Sequence, residues 1–364
     1  MKLRCERDTL VEALTTAGRA VSGRGGQLPV LSGLHLVLTG DELVVTGSDL
    51  ELTIARTLEV NGEVDGSAVV PSKLLIDVVR SLEAGAIELD LSELDLTIRG
   101  GRSEFSIRTI PTDEFPQLVS AEGPAVTIEA ASFVAALRQV VPAASSDDSR
   151  PILTGVLLTP VEGGLRLVAT DSYRLAVSDV PGASVLEGDQ SVLVPSRALA
   201  EVRRVVGDAP ELTLRLGESD AAFAIDGLVV TTRLIDGDFP KYEGLIPTGE
   251  SNSLEVNRET MLDAVRRVRL MAQESTPLRL VMNSEGLEIV AITQDVGEGH
   301  ETVDASYDGD ELTVAFNPAF LVDGLDVAPG EEVSLQTIDS LKPAVLRTPG
   351  NENFLYLLMP VRVP

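Results

Sequence analysis

Residues 169–177 read Ala-Thr-Asp-Ser-Tyr-Arg-Leu-Ala-Val, which sets carboxylate, hydroxyl, phenol and guanidinium groups side by side. The Thr-Asp-Ser cluster breaks an alternating strand pattern, because short polar side chains bond their own backbone and favour turns. The aromatic and arginine that follow are residue types that anchor a second molecule, and a leucine stands beside them. Related turns occur at Gly47-Ser48-Asp49-Leu50-Glu51-Leu52 and at Thr293-Gln294-Asp295-Val296. Asp49 and Asp171 are 122 residues apart, and Asp171 and Asp295 are 124 apart. A carboxylate in such a turn could act in a hydrolase. Three of them at equal spacing belong to different repeats and need not converge, which suits turn formers at strand ends better.

Other candidates for chemistry are sparse. His35 and His300 are the only histidines, and no Gly-x-Ser-x-Gly nucleophile turn accompanies either. The Ser22-Gly23-Arg24-Gly25-Gly26 loop lacks the Gly-Lys-Ser/Thr that holds a phosphate before a helix. It reads as a flexible loop carrying one arginine. Cys5 is alone, so no internal disulfide forms, which fits a reducing cytoplasm. It is expected to be packed rather than reactive. No metal-ligand cluster is evident, and no cofactor or catalytic residue is expected.

The elements that position these residues also repeat. Amphipathic helical windows fall at 6–19, 71–82, 130–141, 195–206, 257–271 and 317–326. Alternating hairpins run 34–38 into 43–45, 156–158 into 165–168, and 278–282 into 287–290, with turns at Gly40, Gly163 and Gly286. Pro71, Pro195 and Pro318 are each expected to open a helix, where the missing N–H costs nothing. Each repeat thus holds two helices among roughly eight strands. Junctions near 121 and 249 divide the chain into 1–121, 122–248 and 249–364, which are domains rather than solenoid units.

The 364 residues carry a formal charge of −28, and only 3% are aromatic. That charge taken alone argues against nucleic acid, since phosphate contacts need Lys and Arg. Its distribution reverses the argument. The six helical windows hold 12 Lys and Arg against 9 Asp and Glu, while the remainder holds 17 against 48. Lys73, Asp77 and Arg80 share one helix face with Leu74, Val78 and Leu82 expected behind it. Arg197, Glu201 and Arg204 repeat that face over Leu199, Val202 and Val206, and Arg266, Arg267 and Arg269 extend it. In the last window Ala319, Asp323 and Asp326 replace the basic pattern. No uncharged apolar run reaches membrane-spanning length, and the start turns charged too soon for a signal peptide.

Three repeats, Thr170-Asp171-Ser172-Tyr173-Arg174-Leu175, Gly237-Asp238-Phe239-Pro240-Lys241-Tyr242 and Met359-Pro360-Val361-Arg362-Val363 together resemble the β subunit of bacterial DNA polymerase III, the replication sliding clamp. The resemblance implies an α+β fold of three clamp domains, each with two helices packed on antiparallel sheets, forming half of a ring. Two subunits then close head to tail around duplex DNA, with helices inside and strands outside. Geometry agrees. Helices packed about 8–10 Å apart make six-helix and twelve-helix circles of roughly 19 Å and 38 Å diameter. Only the larger admits a duplex once about 10 Å is taken by the helices themselves.

The resemblance also assigns sites. Arg24, Lys73, Arg80, Arg138, Arg150, Arg197, Arg204, Arg266, Arg267 and Arg269 are expected to face DNA, although Asp147 stands where the family often has a neutral residue. A peptide pocket is expected from Leu153, Thr170, Tyr173, Arg174, Leu175, Pro240, Leu245, Leu341, Pro343, Met359, Pro360, Val361 and Arg362. Its implied partners are the replicative polymerase α subunit, the clamp loader, repair polymerases, and ligase or mismatch-repair proteins, held through short linear peptides. Two other readings remain open: a monomeric acidic scaffold that binds peptides, and a hydrolase built on one of the Asp turns.

Overall fold

The computed structural model describes residues 1–21, 28–116, 121–186, 188, 190–249, 252–273 and 276–362. The Arg24 loop, part of each expected junction, and the last two residues lie outside the described residues. Among the described residues, each of the six expected windows holds a helix: α1 (Arg7–Ala17), α2 (Ser72–Ser81), α3 (Ala130–Val140), α4 (Ser196–Val205), α5 (Arg258–Val268) and α6 (Pro318–Val327). The three expected hairpins form as antiparallel pairs, and Gly40, Gly163 and Gly286 take the positive φ their turns require.

Two local expectations are corrected. Only Pro318 is the first residue of its helix, while Pro71 and Pro195 end strands immediately before α2 and α4. On α2 the buried apolar side chains are Leu75 and Val79, with Leu82 buried just past its end, whereas Leu74 is exposed and Val78 half-buried. At about 100° per residue, Leu75 lies roughly opposite Lys73, and Leu74 only flanks it. The faces of α4 and α5 are as expected, with Leu199, Val202 and Val206, and Met261, Leu262, Val265 and Val268, all buried.

Contacts divide the chain into two compact units, Met1–Ala130 with Glu201–Leu234, and Ala131–Ala200 with Ile235–Pro364. The division crosses the repeats because the sheets do. In the first unit an eight-stranded sheet is seamed where Leu52–Glu59 pairs antiparallel with Leu228–Arg233. In the second a nine-stranded sheet is seamed where Arg174–Pro181 pairs with Asn351–Leu358. Each seam joins the strand after an Asp turn to the last strand of the following repeat. A five-stranded sheet in the first unit ends at strand Ser103–Arg108, and a four-stranded sheet in the second ends at strand Gly297–Val303.

Leu10 and Leu14 of α1 and Leu75 and Val79 of α2 share one core with Leu34, Leu36 and Leu38 of the eight-stranded sheet and Leu3, Leu89 and Ile98 of the five-stranded one. Cys5 packs against this core, and burial pushes its thiol up to about 12, so it is held protonated near neutrality.

The two histidines respond to opposite surroundings. His35 lies 4.6 Å from the Phe115 ring, and burial lowers it below the ordinary value near 6.5. His300 meets Glu288 at 2.9 Å, a hydrogen bond that raises it. The contribution of His300 is therefore fully present below the unfolded value and lost as pH rises through its folded value. That of His35 is present above the unfolded value and lost as pH falls through its folded value. Replacing His300 with Gln should lower the melting temperature at about pH 5.5 and leave it unchanged at about pH 8.5. His35 should titrate by NMR below His300, and equal midpoints would contradict both environments.

Candidate functional site

Asp171 is committed to its own turn. Its Oδ1 accepts the N–H groups of Tyr173 and Arg174 at 2.9 and 3.0 Å. The Thr170 hydroxyl donates to the Arg174 carbonyl at 2.6 Å and accepts the Ser172 N–H at 3.1 Å. Ser172 adopts a φ of 80°, just as Leu50 adopts 79° after Asp49. Asp49 caps its turn in the same way, accepting the N–H groups of Glu51 and Leu52. Near Asp295 the Val296 N–H donates to the Thr293 carbonyl at 3.1 Å. Asp49 and Asp171 thus act as turn formers, and neither carboxylate is presented as a nucleophile or base.

That turn aims Arg174 at groups far along the chain. Its Nε donates to Asp171 Oδ2 at 3.0 Å, and its Nη1 donates to Asp323 of α6 and to the Tyr356 hydroxyl, the latter at 3.3 Å. The guanidinium lies 4.4 Å from the centroid of Phe320, on which Tyr173 also stacks at 6.5 Å. Burial opposes the charge on Arg174, but Tyr356, Asp323 and Asp171 more than offset it and hold the group above its ordinary value. Burial likewise pushes the Tyr356 phenol up. Arg174 is a fixed cation, and Tyr173, 61% exposed, is an aromatic face standing beside it.

The tail is stitched to this turn. Met359 N–H donates to the Tyr173 carbonyl at 2.9 Å, and Val361 N–H donates to the Ala315 carbonyl at 2.7 Å. Leu175 is buried with Val177, Tyr242, Leu355 and Leu357, and Phe239 and Ile246 pack against that cluster. Pro240 and Leu245 flank those residues and are exposed, as are Met359, Val361 and Arg362. Pro343 immediately precedes strand Ala344–Thr348, where Ala344 pairs with Leu358. Leu153 is buried in the turn that follows Arg150, and the Arg150 Nη1 reaches the Ser172 hydroxyl at 3.4 Å. The expected peptide residues therefore fall within the second unit, and half-buried Pro360 lies between the two stitched tail residues.

Several contributors were not read from sequence. Phe320, Asp323 and Tyr356 complete the setting of Arg174. Asp323 carried no signal of its own, because its counterparts on α2 and α4, Asp77 and Glu201, are acidic as well; the basic pattern is lost at Ala319 and Asp326. Arg166 holds Asp179 through two bonds of 2.7 and 2.8 Å and also meets Tyr242, fixing the segment that carries Pro240 and Leu245.

Among the expected DNA residues, Arg24 lies outside the described residues. Lys73, Arg80, Arg138, Arg150, Arg197, Arg204, Arg266, Arg267 and Arg269 are all exposed. Several are already engaged. Arg267 Nε meets both oxygens of Glu301 at 3.0 and 3.1 Å, Arg266 meets Asp326 at 3.0 Å, and Arg204 meets Glu201 at 3.4 Å. Arg150 meets Asp147 at 2.9 Å, and the Ser149 hydroxyl and N–H, together with Arg150, hold that carboxyl below its usual range. No group of three or more His, Cys, Asp or Glu suited to a metal occurs among the described residues.

Three copies of a two-helix unit on antiparallel sheets make this a clamp-fold protein. Models of the N-terminal, central and C-terminal domains of the DNA polymerase III beta subunit match residues 1–119, 127–241 and 243–362. The chain is 33% identical to the beta sliding clamp of Streptomyces coelicolor and 30% identical to that of Bacillus subtilis, over the full length of each. It is similar to the crystal structure of the Bacillus subtilis DNA polymerase sliding clamp, with a TM-score of 0.95 at 29% identity and complete coverage of both chains. The DNA polymerase III subunit beta of Pseudomonas aeruginosa gives 0.93 at 29% identity, again with complete coverage of both. The chain belongs to the DNA polymerase III beta subunit family.

The site depends on close approach of α6 to Tyr356. A Cβ on Gly324 would fall 2.7 Å from the Tyr356 ring. Gly324→Ala should destabilise the protein by about 1–3 kcal/mol, read as a lower urea midpoint at unchanged slope. Gly244→Ala, where a Cβ meets nothing within 4 Å, should be close to neutral.

Proposed function

We propose that two copies of this chain close head to tail into a ring around duplex DNA, acting as the processivity clamp of replication. The reading includes three domains, 1–121, 122–248 and 249–364, and no catalytic site. It also includes cytoplasmic action, supported by the single cysteine and the absence of any helix long and apolar enough to cross a membrane among the described residues.

The observation that carries the ring is an unfilled pairing. Twice within the chain, the strand after an Asp turn pairs with the last strand of the following repeat. Among the described residues, the third such strand, Gly297–Val303, and the last strand of the first repeat, Ser103–Arg108, are each paired on one side only. Both stand at open sheet edges, which invite a partner strand. A second copy supplies each with its missing neighbour, and unlike edges give a heterologous contact that closes when the rotation permits. One edge exposes Arg102, Glu104 and Arg108, and the other carries Glu298 and Glu301, the latter paired with Arg267. Phe105 on the first edge is 39% exposed, and Leu270 beside α5 in the other unit is 77% exposed.

Within the ring, exposed arginines and Lys73 on helix faces meet phosphate without reading bases, and partial pairing to carboxylates keeps each contact weak. Polymerases, the clamp loader and repair proteins are held by short peptides seated on Tyr173, Leu175, Leu245, Met359 and Val361. The hydrolase reading is disfavoured because Asp171 and Asp49 are spent on their turns.

The decisive experiment loads the protein on nicked circular DNA. Retention, followed by release on linearisation, is expected. Phe105→Glu should shift sedimentation from dimer to monomer and abolish retention, whereas an unchanged dimer would remove the Ser103–Arg108 edge from the interface. Deleting residues 359–364 should abolish peptide binding and spare the dimer.

A further inference from the structure

Beyond the tail from the Arg174 site lies a cleft of about 350 Å³ in the second unit. Its position follows from strand register. Arg279 of strand Leu278–Asn283 pairs with Ala315 of strand Leu312–Phe316, and the Val361 N–H donates to the Ala315 carbonyl. Arg279 and the last described residue, Arg362, are therefore carried to one cavity, with Thr313 two residues from Ala315 on the same strand face. Ser340 and Leu341 close the side, and Leu341 is 63% exposed.

The electrostatics of this cavity run against the rest of the chain. The protein carries a formal charge of −28, yet among the described residues no carboxylate lines the cleft. Neither Arg279 nor Arg362 has an ion-pair partner among the described residues, whereas Arg166, Arg174, Arg266 and Arg267 all do. The nearest acid along the chain, Asp339, accepts the N–H groups of Leu341 and Lys342 and pairs with Lys342. Two guanidinium groups sharing a cavity repel unless an anion lies between them, and guanidinium is the group best shaped to grip carboxylate.

We propose that this cleft is an acidic-residue subsite: it takes an Asp or Glu side chain of the partner peptide, next to apolar anchors seated across the tail. The inference rests on the peptide-binding reading above and gives it a charge preference. Val361 is half of the connection, since its side chain lines the cleft and the same residue belongs to the apolar anchor set. Hydroxyls of Thr313 and Ser340 are on hand to donate to the second carboxylate oxygen.

The test uses fluorescein-labelled dodecapeptides built on a Leu-Phe anchor and flanked on one side or the other by Asp-Asp, Asn-Asn or Lys-Lys. In fluorescence anisotropy with the full-length protein, the best Asp-flanked peptide should bind about tenfold tighter than its Asn counterpart, the size of one charge-assisted bond. Arg279→Gln should erase that ratio while leaving Asn-flanked binding unchanged, and raised salt should shrink it in the wild type. Binding without preference for Asp, or an Asp preference untouched in both Arg279→Gln and Arg362→Gln, overturns the subsite alone. No binding by any peptide, including the Asn series, overturns the peptide reading and the subsite with it.

Discussion

Antiparallel pairing across the repeat seams is the constraint on which the rest of this structure depends. Backbone N–H and C=O groups at a sheet edge must find partners or water, and here four strand edges, joined in two seams, are satisfied by neighbouring repeats. That is why the compact units cut across the repeated sequence rather than coinciding with it. It is also why the anchor site is where it is. The seam between Arg174–Pro181 and Asn351–Leu358 sets Arg174 opposite Leu358 and delivers Met359 to the Tyr173 carbonyl. A slip of one residue would turn Leu175 out of its cluster and break both tail bonds, so register and binding surface are one property.

The repeat makes the same constraint reach beyond one chain. In the proposed ring the seam used twice within the chain recurs between copies, and closure after a small number of copies distinguishes a ring from a fibre. Neither edge strand contains proline; one carries the exposed aromatic Phe105, and on the other Glu301 is met by Arg267 of α5.

Features set by local spacing were legible in the sequence. The helices, hairpins and Asp turns follow from periodicities of 3.6 and 2 and from turn chemistry within a few residues. The α2 face was misplaced because Leu74, Leu75 and Val78, Val79 offer two apolar stripes, and only packing against Leu34 and Leu36 selects one. The partners of Arg174 were out of reach for a different reason: Asp323 lies 149 residues away and Tyr356 182 away. No local pattern encodes such a contact. Asp323 does not stand out locally either, since the matching helix positions hold Asp77 and Glu201. The Arg24 assignment falls outside the described residues, and the peptide residues assigned by resemblance gather around the second seam without that gathering fixing what they hold.

The charge pattern completes the argument. Basic helix faces in so acidic a chain would grip phosphate tightly if every arginine were free, and a clamp that grips cannot slide. Arg150 is tied by Asp147, Arg266 by Asp326 and Arg267 by Glu301, so any phosphate must compete with a carboxylate already in place. Exposed pairs of this kind are worth little individually. They break and re-form at small cost, and exchange between carboxylate and phosphate leaves the total nearly constant along the duplex. In the proposed ring, weak affinity at each point and topological linkage are complementary: closure would retain the duplex, and the paired arginines would let the ring move along it.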